Sequence, residues 1–587
     1  MKLLKPSLIL LLVIFFISTV TRITLLKTHF GHLDDLGVAV TILDSKRHPP
    51  TVNSLLAEGH LRASSPRLQA LRQMSENPLG MRVLNALLPV HSYVAVPLVW
   101  TYAPLQFIFT SLLINPEQSY ETVKFWGRFP SMVSVSFALL FMVALARQIQ
   151  PQRWVIWSIL FVAPLAFSLQ ISVMAAQMHN YALGIAVAAG ILYLTVKDAN
   201  NVANSTEWKF WFSRLLIWII ALYSIYQSVL LLPGYLIAQV VASWHLSSKQ
   251  RWTRLIKWCL LGFSISLLFL PAYLFRVRTT VAIGWNAGPN KEFLFQQGGS
   301  FISSTLKYFL NNSFVVVGSM FSPAIDESTL FHIWSWIFYI LFLSGLSTLV
   351  ILLFRRDTKV SLKALSCVAL GGFAVLILLT LRQQLVLSPT RHLTLFSPAI
   401  CVFFAYGIYG ITSIFKVYRQ YCLSICAFAI AIALGITYLT SWPIFKAERQ
   451  DLFSENFLAT LVEAQQADIL VSMSREALLM PNLRSKVPVL DLSRSGSYYR
   501  LDNGQSQDLL RLKSQSHRIL FVGQGPIHRR SCQQIKDFIW TTISIPFNCD
   551  SLRPLINKQS DVEVEFSRRT NNGSKGLYVA LFDPSSS

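Results

Sequence analysis

Apolar runs recur along residues 1–440, each about the length of the roughly 20-residue helix that crosses a bilayer. The first, Ser7–Leu26, follows Lys2 and Lys5. Its length, and the lack of a small-residue cleavage site after it, predict an uncleaved helix with a cytoplasmic N-terminus rather than a signal peptide. Further spans are expected near Ser131–Ala146, Trp154–Ser172, Tyr181–Val196, Leu215–Ser228, Val229–Trp244 and Trp258–Phe275. Others follow near Ile333–Phe354, Ala364–Leu381, His392–Thr412 and Cys422–Thr440. The pattern therefore predicts a mainly α fold, a polytopic transmembrane bundle of about eleven spans. An odd number of crossings would leave the C-terminus on the outer side.

Two regions break the pattern. The loop over residues 27–128 is far longer than an ordinary helix connection, which marks it as functional. Within it, Val94–Ile114 is apolar but interrupted by Pro97 and Pro104, and is expected to lie at the membrane surface or re-enter it. The second region, residues 445–587, has the composition of a soluble domain. Its runs Ala467–Val471 and Arg518–Gly523 are short, apolar and bounded by polar residues, as buried strands are. A C-terminal soluble α/β domain on the outer side is expected, beside a membrane domain over residues 1–444. Gly523-Gln524-Gly525 lacks the third glycine of a dinucleotide fingerprint, so no nucleotide cofactor is assigned to it.

Composition sharpens this picture. The 587 residues are 53% hydrophobic and only 13% charged, about half the charged fraction of a soluble protein, with a mean hydropathy of +0.48. The net charge of +23 is spread through short connections rather than gathered in a tail, so no nucleic-acid partner is expected. Lys and Arg recur in every second connection: Arg147 and Arg153; Lys197, Lys209 and Arg214; Lys249, Arg251, Arg254 and Lys257; Arg355, Arg356, Lys359 and Lys363; Lys416 and Arg419. That recurrence is the positive-inside signature of a multi-pass protein of the plasma or inner membrane. Seven cysteines are too few for a disulfide scaffold. Five lie in or beside apolar spans, and only Cys532 and Cys549, in the soluble region, could pair on an oxidising side.

A few polar groups fall where chemistry could occur. Asp34 and Asp35 lie shortly after the first span. They read either as the acidic start of a helix or as a general base and its partner at the membrane surface. Thr101-Tyr102-Ala103-Pro104-Leu105 opens an apolar helix, and Arg128, in Phe125–Ser131, lies where the long loop meets the next span. Arg128 is either a snorkelling interfacial arginine or a bidentate clamp for an acid or phosphate. Gln177, His179, Asn180 and Tyr181 form a polar mouth to a helical hairpin. Arg382 and Arg391, like Arg276 and Arg278, would face outward against the positive-inside trend. Such arginines are explained by interfacial anchoring or by an anion such as a lipid phosphate. No HExxH motif or Cys/His spacing suggests a metal site.

Taken in order, these segments resemble the GT-C superfamily of membrane glycosyltransferases, which includes protein O-mannosyltransferases and the lipid A aminoarabinose transferases. The Asp-Glu of relatives stands here as Asp34-Asp35, His-Pro-Pro-Leu as Tyr102-Ala103-Pro104-Leu105, and Glu-x-Arg-x-Tyr-Ala as Gln177-x-His179-x-Tyr181-Ala182. The resemblance implies transfer of a sugar from a polyprenyl-phosphate donor to a lipid, glycan or protein acceptor on the outer face. It implies Asp34 as base, and Asp35 as its partner or as a contact to a divalent metal. Arg391 would hold the donor phosphate, with His179 or Arg128 nearby, and Tyr102, Gln177 and Tyr181 would line the substrate site. Glu76, in the long loop, is a further acidic group. A lipid or solute transporter is the competing class, although no repeated halves of the kind common in transporters are evident. A noncatalytic membrane scaffold is a third.

Overall fold

The computed structural model describes residues 4–28, 38–39, 42–43, 46, 76–87, 105–201, 208–244, 246–272, 301–325, 328–381, 391–415, 417–448, 455–464, 466–472, 486–487, 489–491, 519–525 and 576–582. Asp34, Asp35, Tyr102, Arg276, Arg278, Arg382, Cys532 and Cys549 lie outside these residues, as does most of Val94–Ile114.

The chain begins with α1 (Leu4–Thr28), and the long loop that follows holds α2 (Pro78–Leu87) and α3 (Leu105–Leu113). Then come α4 (Tyr120–Ile149), α5 (Trp154–Ala166), α6 (Leu169–Ala175) and α7 (Tyr181–Asn200). These lead to α8 (Trp208–Ser224), a 3-10 turn, α9 (Leu232–Ser243) and α10 (Ser248–Ala272). The second half holds α11 (Phe301–Phe321), α12 (Thr329–Phe354), α13 (Val360–Leu381), a 3-10 turn over Arg391–Phe396, α14 (Ser397–Thr412) and α15 (Arg419–Glu448). Among the described residues, nine single helices are long and apolar enough to cross a membrane. The pair α5–α6 qualifies only jointly, as a broken span bent by 73°.

These helices carry their apolar residues on all sides, as expected where lipid replaces water. Phe16, Phe263 and Ile351 are exposed, and in a bilayer such side chains meet acyl chains. The span Leu393–Thr412 is the most enclosed, 83% buried, whereas Thr329–Phe354 is 33% buried and borders the bundle. These two meet closely because both carry glycine at the contact. A Cβ on Gly345 would run into the Phe403 carbonyl, and one on Gly407 into that of Leu341. Small residues of this kind let membrane helices approach.

The elements depart from the sequence expectation in four places. Helix α4 begins at Tyr120, not near Ser131, because Ser119 caps it by accepting from the Thr122 amide and Glu121 occupies its first turn. Pro130 therefore sits inside the helix, and Ser134 donates to the Pro130 carbonyl at 2.7 Å. The span expected over Trp154–Ser172 is broken after Ala166, where Ser168 starts a second helix by capping the Ile171 amide. Helix α8 has 17 residues, about 25 Å at 1.5 Å per residue and short of the roughly 30 Å hydrocarbon core. Helix α11, interrupted by Lys307, Asn311 and Asn312, was not among the expected spans.

Beyond α15 lies α16 (Glu455–Ala464), followed by the strands β1 (Ile469–Ser472), β2 (Val489–Asp491), β3 (Ile519–Gly525) and β4 (Gly576–Phe582). They form one sheet in the order β2-β1-β3-β4. β1 pairs in parallel with β2 and β3, and β4 is antiparallel to β3. Leu470 and Leu520, opposite one another in β1 and β3, are both buried.

Candidate active site

The polar mouth is assembled by three helices from separate stretches of the chain. Helix α7 starts at Tyr181 with Asn180 at its cap, and the segment before it returns from α6. Helix α4 presents Gly127 and Ser131, one turn apart, to this segment. A Cβ on Gly127 would lie 2.6 Å from the Met178 sulfur. The Ser131 hydroxyl donates to the carbonyl of Gln177 and contacts that of His179 at 3.4 Å. Helix α3 closes the other side: Gln106 Nε2 donates to Ser131 Oγ at 3.0 Å, and Thr110 Oγ1 to the Gly127 carbonyl at 3.3 Å.

His179 is held on three sides and is 3% exposed. Its ring stacks on Tyr181 at 4.2 Å and 7°, and meets the edge of Phe107 at 6.0 Å. Nδ1 accepts from the Asn180 amide at 3.0 Å, which leaves Nε2 to carry the proton of the neutral ring. The imidazole is therefore fixed in tautomer and plane. Gln177, Asn180 and Tyr181 are buried beside it.

Arg128 projects from the same turn of α4 and is fully buried. Nη1 donates to the Leu26 carbonyl at 3.0 Å, near the end of α1. This placement excludes the snorkelling arginine that its sequence position suggested. The cation instead lies against the partial negative charge of a helix C-terminus. Lys124, one turn earlier and 1% exposed, lies 4.3 Å over the Tyr120 ring and 3.3 Å from Glu121.

The acidic pair of the first loop lies outside the described residues. The residues just after it are helical at 38–39, 42–43 and 46. Val38, Ala39, Ile42 and Leu43 are buried, the i, i+1, i+4, i+5 stripe of a packed helix face. Lys46 extends that stripe. Its ammonium donates to the carbonyls of Ser111 and Ile114, both at 2.6 Å, and to Asn115 Oδ1 at 3.0 Å. Burial lowers the Lys46 pKa, and the three acceptors oppose that shift. The first loop is thereby tied to the C-terminal end of α3, the helix whose start adjoins Tyr102.

Of the expected site residues, Gln177, His179 and Tyr181 come together, while Arg128, on the same helix as Ser131, turns to the end of α1. The turn that starts at Arg391 packs against α7 and α14, and the Arg391 side chain lies outside the described atoms. Glu76 is exposed. Gln106, Ser131 and Lys46 were missed. The sequence signal for Gln106 and Ser131 was a lone polar residue inside an apolar helix, which is costly in lipid unless it has a partner. Among the described residues no cluster of three or more His, Cys, Asp or Glu could hold a metal ion.

A polytopic membrane helical protein emerges, with a buried cation and an oriented imidazole gathered at one end of the bundle. Neither a protein-family profile nor a curated protein sequence matches the chain. Among solved structures it is similar to the Archaeoglobus fulgidus oligosaccharyltransferase in complex with Zn and sulfate. That likeness has 10% identity and a TM-score of 0.46, over 90% of this chain and 69% of the other. It is also similar to ArnT from Cupriavidus metallidurans in the apo state, with 12% identity and a TM-score of 0.40, over 88% of this chain and 96% of the other. For ArnT bound to undecaprenyl phosphate the values are 11% and 0.40, over 87% and 92%.

Proposed function

We propose that the protein is a membrane glycosyltransferase that moves a sugar from a polyprenyl-phosphate donor to a hydroxyl acceptor on the outer face. The observation that carries this reading is the buried Gln177–Tyr181 mouth, held on α4 through Ser131, with Arg128 fully buried on the same helix. A cation buried on the helix that packs against an oriented imidazole's segment suits an anionic lipid-linked substrate. The order of motifs along the chain supports the same class.

In this reaction Asp34 accepts the proton of the acceptor hydroxyl as its oxygen attacks the anomeric carbon. The bond between that carbon and the phosphate oxygen breaks, and its electron pair stays with the lipid phosphate. Negative charge grows there, so a fixed cation binds the transition state more tightly than the ground state. Arg391 and Arg128 supply that charge, His179 an N–H donor, and Tyr102, Gln177 and Tyr181 the substrate contacts. Asp35 orients Asp34 or contacts a divalent metal. In the same proposal the N-terminus is cytoplasmic, and residues 445–587 form an α/β domain on the outer side.

Transport is the second reading, and the broken span α5–α6 favours it, because half-helix ends often bind the cargo of transporters. The ends of this break are occupied by the protein itself. Arg22 Nη2 donates to the Leu165 and Ala166 carbonyls at 2.9 and 3.2 Å. Ser168 Oγ donates to the Met320 carbonyl at 2.6 Å, and the Leu169 amide to that of Ser322 at 3.4 Å.

Purified protein in nanodiscs should release polyprenyl phosphate from a polyprenyl-phosphate sugar when given its acceptor. Asp34→Asn should reduce turnover by at least about a thousandfold, a general base together with its charge, while donor binding persists. Full turnover in that variant would remove Asp34 from the reaction, and substrate flux across sealed vesicles without sugar transfer would favour transport.

A further inference from the structure

At the end of α7 remote from Tyr181, a second polar cluster lies across the bundle from the candidate site. The 20 residues of α7 span about 30 Å at 1.5 Å each. Asp198, fully buried in its last turn, is held by Arg214 of α8, with Nε to Oδ2 at 2.8 Å and Nη2 to Oδ1 at 2.5 Å. Tyr235 of α9 donates its hydroxyl to Oδ2 at 2.8 Å. The carboxylate is thus satisfied by α8 and α9 alone.

A second guanidinium enters from α10. Arg254, 3% exposed, uses Nη2 on the Asp198 carbonyl at 3.3 Å and on Gln239 Oε1 at 3.2 Å. Among the described residues its Nε and Nη1 have no partner, and neither does the indole nitrogen of Trp258 one turn on. Trp218, against Tyr235 on the other side, has its indole nitrogen unpartnered there too. Every one of these orphaned atoms is a donor, and the cluster carries two arginines against one aspartate. A purely structural staple between α10 and α7, with the guanidinium 5.9 Å over the Trp258 ring, accounts for Nη2 of Arg254 but gives its other two nitrogens no hydrogen-bond acceptor among the described residues.

The surroundings define what would complete the cluster. Arg251 and Lys257, each half-buried, flank Arg254 at three-residue spacing and so border the same side of α10. Cations here sit on aromatic rings: Arg251 over Trp244 at 4.9 Å, Lys257 over Trp211 at 5.7 Å, Arg214 over Phe210 at 4.3 Å and Lys197 over Tyr193 at 5.6 Å. Aromatic and basic side chains mixed in this way mark the level of lipid headgroups. Further along α10, Ile256, Leu260 and Phe263 are exposed and apolar, on the side of the helix turned away from Arg254.

We propose that this basic and aromatic collar binds the phosphate of an anionic phospholipid in the leaflet opposite the candidate active site. Arg254 is the buried phosphate donor, and Arg251 and Lys257 form the entrance. At the headgroup level marked by these cation–aromatic pairs the phosphates present are those of lipids, and anionic ones are drawn to basic clusters, so the occupant is a lipid. The site is independent of the sugar-transfer reading.

The test uses the full chain in nanodiscs of phosphatidylcholine with or without phosphatidylglycerol, reading lipids retained on gentle release by native mass spectrometry together with melting temperature. Phosphatidylglycerol should be retained about tenfold over phosphatidylcholine, a gap of about 1.4 kcal/mol, and should raise the melting temperature. Arg254→Gln should abolish that preference, whereas Arg419→Gln, at a basic residue outside the collar, should keep it. If Arg254→Gln does not fold, the Arg251→Gln, Lys257→Gln double variant decides, with reduced retention expected. Equal retention of both lipids by the wild type, or an unchanged preference in a folded Arg254→Gln or in the deciding double variant, overturns the site. Equal protection by inorganic phosphate in pure phosphatidylcholine discs overturns the lipid as its occupant.

Discussion

Ser131 shows how one side chain can tie three segments of the chain together. Its hydroxyl contacts the carbonyls of Gln177 and His179 and accepts from Gln106, so α3, α4 and the hairpin mouth meet at one oxygen. Ser131→Ala leaves the buried Gln106 amide and the Gln177 carbonyl short of a partner, a loss of about 1–3 kcal/mol. The expected result is a lower melting temperature and weaker donor binding, measured on the same preparation. Unchanged binding would mean that the mouth keeps its shape without this contact. Arg128 could be read from the sequence as a charged residue near a helix, but not as a buried one. Its partner is Leu26, 102 positions away, and no local pattern announces such a pairing.

At the level of helices, the glycine contact between α12 and α14 sets how closely the bundle closes. Gly345→Ala or Gly407→Ala drives a methyl group into a backbone carbonyl, which cannot rotate aside as a side chain can. Each substitution should destabilise by about 1–3 kcal/mol through overpacking. A thermal-unfolding series can check this, with Gly190→Ala as control, because a Cβ there meets Phe141 only at ordinary contact distance, 3.5 Å. A drop for the control equal to that of the other two would show that helix packing is not the cause. The α5–α6 break belongs to this scale as well. Pro164 lies near the end of α5, a visible sign of a weakened helix, but a proline alone does not say whether a span kinks or stops. The stop comes from Arg22, Ser168 and the last turn of α11, which cap both new ends.

For the whole molecule, the two polar clusters at opposite ends of α7 give the bundle unlike ends. One gathers Arg128, His179 and the first-loop tie through Lys46, and the other gathers Asp198, Arg214 and Arg254. In the proposed orientation the second end faces the cytoplasm, in keeping with the basic connections there. A reporter protein fused after Ser587 should then be active only on the outer side, and one inserted after Asn204 only on the inner side. Both reporters on one side would reverse the proposed topology.

The membrane-spanning character and the rough position of most helices follow from the sequence alone. Hydrocarbon imposes a local rule: an apolar stretch of sufficient length must satisfy its own backbone bonds as a helix. The apolar runs at 467–471 and 518–523 were legible from a different local signal, a short apolar run bounded by polar residues, and strands lie at Ile469–Ser472 and Ile519–Gly525. The Gln177–Tyr181 mouth was also visible, because polar residues between two apolar runs stand out. What lies around it was decided by tertiary structure. Gln106 and Ser131 meet the hairpin only where α3 and α4 cross it, and Asp198 becomes a buried node only where α8, α9 and α10 converge. Those meetings depend on helix rotation and on side-chain fit between distant positions, neither of which hydropathy encodes.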